Sequence, residues 1–108
     1  MKADMTIFIN SEMGFHHVNG CLAKDNSWND FESALNAKEA IKIARQMGKS
    51  AISNGDSNTV EILKWKNRKN EWKLVQTYGM TKMEKKSAEI DVYVQNLKTE
   101  EQFVKYAR

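Results

Sequence analysis

His16, His17 and Cys21 are the residues best suited to chemistry, two imidazoles and a thiol within one short stretch. Such a set serves either a metal ion or a thiol nucleophile activated by histidine, with Asp25 or Asp30 as the orienting acid. A triad is defined by its geometry in space, so the co-occurrence of one cysteine and two histidines carries almost no weight for the nucleophile, and the spacing argues against the metal. Neighbouring residues on a strand point to opposite faces, so His16 and His17 cannot share an ion there. His17 and Cys21 would stand ~13 Å apart on an extended chain at ~3.3 Å per residue. The chain has one cysteine and two histidines in all, so no second pair completes a zinc site. Glycines at 14, 20, 48, 55 and 79 make neither a dinucleotide fingerprint nor a phosphate loop. The expectation is therefore no metal, no cofactor and no enzyme. A small enzyme using His16, His17 or Cys21 ranks third among the readings of function.

A second stretch suggests recognition instead. Lys64, Trp65, Lys66, Arg68, Lys69, Trp72 and Lys73 alternate cations with indoles, and Lys82, Lys85 and Lys86 follow closely. Lysine and arginine attract phosphate, and indoles stack on unpaired bases, so this basic, aromatic region is a candidate nucleic-acid surface. Residues 64–86 carry eight Lys/Arg against Glu71 and Glu84, whereas the whole chain is only +3; the remaining residues therefore sum to −3. The competing reading is structural. Two tryptophans facing each other across a hairpin stabilise it, and lysines keep its loop and edge soluble. These ten side chains are the candidate binding surface under either reading.

The elements that position these residues follow from periodicity. At 108 residues, 41% hydrophobic and 29% charged, the chain is expected to form one domain spanning 1–108. Thr6 to Asn10 reads as a strand, Phe15 to Leu22 as its hairpin partner, and 23–33 as a polar loop pinned by Trp28 and Phe31. A helix is predicted over 37–47. Asn36 caps it, Glu39 completes a capping box, Leu35 and Ala40 form a staple, and Gly48 ends it. Ala37, Ala40, Ile41, Ala44 and Met47 make its apolar stripe. Ser50 to Ser53 reads as a short strand ended by Asn54-Gly55-Asp56. Thr59 to Lys66 and Glu71 to Tyr78 form a hairpin pairing Lys66 with Glu71, Trp65 with Trp72, Leu63 with Leu74 and Thr59 with Tyr78. The other face pairs Ile62 with Val75 and Val60 with Thr77. Residues 79–87 read as a charged loop holding Met80 and Met83, and Ala88 to Gln95 as a half-buried strand. Thr99 and Gln102 open a short helix at 99–107 anchored by Phe103, Tyr106 and Ala107. The fold class is α+β, a small, mostly antiparallel sheet with one main helix and a C-terminal helix packed on it.

No apolar run approaches the ~20 residues needed to cross a bilayer, so no membrane partner is expected. One cysteine excludes an internal disulfide and favours a reducing, cytoplasmic setting. Lysine and asparagine, 14 and 10 residues, have A/T-rich codons and suggest an A/T-rich bacterial or mobile-element source. The leading expectation is a non-enzymatic binding module acting through protein–protein contact, as an adaptor or inhibitor, with self-association as a dimer among its forms. Nucleic-acid binding through 64–86 is the alternative.

Overall fold

The computed structural model describes residues 3–24 and 28–106, with side chains described within 3–24 and 31–98. Chain order is β1 (Met5–Glu12), β2 (Phe15–Leu22), β3 (Trp28–Ala34), α1 (Ala37–Ser53), β4 (Val60–Lys66), β5 (Glu71–Tyr78) and α2 (Lys82–Tyr106). The five strands form one sheet in the order β3-β2-β1-β4-β5. It is the expected α+β arrangement of a mostly antiparallel sheet with helices packed on it. Only β1 and β4 are parallel, Ile7 lying beside Ile62. Parallel neighbours need a crossover, and α1 supplies it.

The inward residues of the central strands meet the small side chains of α1. Ile7, Ile9, Val18, Val60 and Ile62 are fully buried with Ala40 and Ala44, while Ile41, Ile43, Met47, Val75 and Tyr78 pack at the margin. Asn36 caps α1 as expected, its Oδ1 accepting the Glu39 N–H at 2.8 Å. Asn36→Ala should cost about 1 kcal/mol of stability; an unchanged urea midpoint would contradict this role. Leu35, by contrast, is exposed and makes no staple.

Several expectations are corrected. The helix does not stop at Gly48 but runs to Ser53, so 50–53 is its last turn and not a strand. Gly48 is glycine because of packing: a Cβ there would lie 2.9 Å from the Tyr78 ring. The real stop is Asn54-Gly55. Gly55 has φ +75°, its N–H donates to the Ile52 carbonyl at 3.2 Å, and the Asp56 N–H donates to Ala51 at 2.9 Å. This is the paired bonding of a Schellman ending.

The stretch read as a loop over 23–33 contains β3, which pairs with β2 and forms a sheet edge. Its polar composition imitates a loop, and polar residues are also how an edge strand avoids unwanted pairing. Phe31 is 64% exposed and does not pin this segment to the core; the Trp28 side chain lies outside the described residues.

The β4–β5 hairpin keeps the expected register from its tip to Leu63–Leu74. A bulge between Ile62 and Leu63 then shifts it, so Ile62 pairs with Gln76 and Val60 with Tyr78. The extra β5 residue lets Val75 and Tyr78 both reach the core under α1.

The largest correction concerns the C-terminal region. The expected loop 79–87, strand 88–95 and helix 99–107 are replaced by one 25-residue helix, Lys82–Tyr106. Thr81 begins it: its Oγ1 accepts the Glu84 N–H at 3.2 Å and donates to the Glu84 carboxylate at 3.1 Å. Ala88 and Val92, four apart, are buried, while Ile90 and Val94 are exposed. The apparent alternation was a four-residue period sampled on both sides of a helix. Thr99 and Gln102 fall inside α2; their side chains and those of Phe103 and Tyr106 lie outside the described set, as does Ala107 altogether. Among the described residues, no helix is long and apolar enough to cross a membrane.

Candidate contact surface

The histidines sit on regular strand positions. His17 pairs with Asn10 across β1–β2, and His16 with Ser11. His16 Nδ1 lies 2.6 Å from Ser11 Oγ, and His17 Nδ1 lies 2.9 Å from Ser33 Oγ on the neighbouring strand. Cys21 is a half-buried thiol whose Sγ is 3.9 Å from the Leu22 carbonyl. Asp25 and the Asp30 side chain lie outside the described residues. Among the described residues, no three His, Cys, Asp or Glu side chains are grouped to hold a metal ion.

Two open clefts border the end of α1. One of about 290 Å³ is lined by Glu32, Gln46, Met47 and Asp56, and another of about 380 Å³ by Asp4, Lys24, Asp56 and Ser57. Asp4 in the second is already committed to the fold, accepting the Asn58 N–H at 3.0 Å.

The basic, aromatic stretch is divided by the fold. Trp65 and Trp72 meet edge to face with ring centroids 5.1 Å apart, and Phe8 meets Trp72 at the same distance. Both indoles are half-buried. Lys64 and Lys73 pair with each other in the register, one step from the tryptophans and so on the other face of the hairpin. Lys66 is half-buried, whereas Arg68 and Lys69 are exposed at the tip. Lys82, Lys85 and Lys86 are exposed at the start of α2, beyond the opposite end of β5. The eight residues of β5 separate the tip from that group by ~24 Å at ~3.4 Å per residue. The continuous charge of the sequence thus becomes two groups, with indoles turned from Lys64 and Lys73.

How α2 lies on the sheet explains what it exposes. Asn96 Oδ1 accepts the Trp72 N–H at 2.9 Å, and its Nδ2 donates to the Trp72 carbonyl at 2.8 Å. The side-chain amide thereby closes the β5 edge as a strand would. Ala88 and Val92 lie on the Asn96 side and are buried. The opposite side carries Met83, Ile90, Tyr93, Val94 and Leu97, all exposed, at helical spacings of three, four and seven. Sequence reading missed this row because it treated 88–95 as a strand, which scatters these residues over two faces.

A second exposed row lies on the sheet. Phe15, His17 and Phe31 stack in series, with centroids 6.5 and 5.4 Å apart and planes inclined by 26° and 24°. Phe31 joins it only because β3 exists, so the signal was hidden with that strand. No protein-family model, curated protein or solved structure matches this chain.

Proposed function

We propose that this chain is a small non-enzymatic module that acts through protein–protein contact, as an adaptor or an inhibitor. The supporting observation is the second apolar side of α2. A helix of a lone domain is normally apolar only toward its core, with polar residues opposite. Here the core side is satisfied by Ala88, Val92 and Asn96, yet Ile90 and Tyr93 are 58% and 63% exposed on the far side. Ordered apolar rows of this kind mark contact sites, whereas scattered exposed apolar residues need no explanation. The module works by offering this rigid row, held by the Asn96–Trp72 bonds, to a complementary protein surface. The Cys21 thiol suits a reducing, cytoplasmic setting.

Oxidative footprinting tests the reading with an internal control. Met13 and Met83 are 90% and 84% exposed, so both should label alike in dilute purified protein. In extract of the cells that make the protein, Met83 and Tyr93 should be protected several-fold while Met13 is not. Equal labelling of Met83 and Met13 in extract would contradict the proposal. Protection confined to the 64–73 hairpin and removed by nuclease would instead favour nucleic acid.

A further inference from the structure

We infer that the occupant of the outward row of α2 is a second copy of this chain, packed against it helix to helix in antiparallel orientation. The inference rests on the protein-contact reading above and names its partner. Three features support it.

The first is spacing. Met83, Ile90 and Leu97 recur every seven residues, with Tyr93 and Val94 between them. A seven-residue repeat keeps one stripe facing a neighbouring helix over several turns, which a globular ligand does not require.

The second is length. The 25 residues of α2 extend ~36 Å end to end at ~1.5 Å per residue, against ~24 Å for the eight-residue β5 on which it lies. The helix is longer than its own sheet needs.

The third is charge. Lys82, Lys85 and Lys86 occupy the first turns of α2, and helix positions 100 and 101 are both glutamate. A two-fold axis passing near Tyr93 and Val94 sets Ile90 beside Leu97 of the second copy. The same axis brings Lys86 level with position 101, since the two are equally far from the midpoint of Tyr93 and Val94 in the helix. Antiparallel packing thus aligns opposite charges and opposed helix dipoles. A parallel seam would set Lys86 against its own copy.

Sedimentation of the full chain from about 1 to about 100 μM covers the range in which a modest dimer forms. The mass should rise toward two copies. Ile90→Lys with Leu97→Lys should weaken association at least ~100-fold while leaving the far-ultraviolet spectrum unchanged. Lys85→Glu with Lys86→Glu should weaken it about tenfold, and adding Glu100→Lys with Glu101→Lys to the same chain should restore it. Indifference to the first charge reversal, or failure of the second to rescue it, overturns the antiparallel seam. A chain that stays monomeric throughout overturns self-association. If Met83 and Tyr93 are nevertheless shielded in extract, the protein-contact reading stands and only the identity of the occupant fails.

Discussion

Ile7→Ala is expected to lower the unfolding free energy by about 4 kcal/mol, within the 2–5 kcal/mol typical of buried isoleucine truncation. Ile7 has no exposed surface and sits on β1, the middle strand of the sheet. It lies opposite Gly20 on one neighbour and beside Ile62 on the other. Strands bound on both sides hold the backbone in place, so the cavity left by the lost carbons cannot collapse. The loss is a large fraction of the ~5–15 kcal/mol that holds a domain of this size together. The half-buried Ile41, at the margin of α1, should cost clearly less on the same change. Urea unfolding with an unchanged slope measures both. A loss below about 1 kcal/mol at Ile7 would contradict the placement of the core.

Gly79→Ala should be nearly as damaging, for a different reason. Gly79 has φ +71°, and a Cβ there would collide with the Asn58 carbonyl oxygen, with Ile52 Cδ1 at 3.3 Å. Backbone cannot rotate aside as a side chain can, so the turn from β5 into α2 would have to move. Gly55 isolates the conformational part of the penalty, having φ +75° with nothing within 4 Å of its Cβ position. Gly55→Ala should cost about 1 kcal/mol, the left-handed penalty alone. Gly79→Ala should cost about 2–4 kcal/mol, because overpacking adds ~1–3 kcal/mol to that penalty. Equal thermal midpoints for the two variants would show that the Asn58 contact relaxes freely.

What was legible in the sequence depended on whether local chemistry and tertiary packing agreed. Asn36 and Glu39 mark a helix start by short-range bonding alone, and the structure has that bond. The Trp65–Trp72 register followed from a turn of fixed length. Gly48 misled because the approach of Tyr78, thirty residues away, leaves no local trace. β3 was hidden because polar edge strands and loops share a composition. α2 was hidden because Ala88, Ile90, Val92 and Val94 fit a period of two as well as a helix apolar on both sides. Thr81 and Glu84 formed the missed start signal, of the same kind as Asn36 and Glu39. The basic residues of 64–86 fall into two groups because β5 lies between them, a separation that linear order does not reveal. The row from Met83 to Leu97 becomes visible only once the segment is wound as a helix.

Photo-crosslinking from position 93 tests the central claim most directly. A benzophenone side chain replacing Tyr93 should yield discrete protein adducts in the cells that make the protein, and Ile90→Lys should abolish them. The same probe at Lys69, on the hairpin tip, should yield none of those adducts. Absence of protein adducts at position 93, with or without nucleic-acid adducts at position 69, would contradict the assignment of α2 as a protein-contact surface.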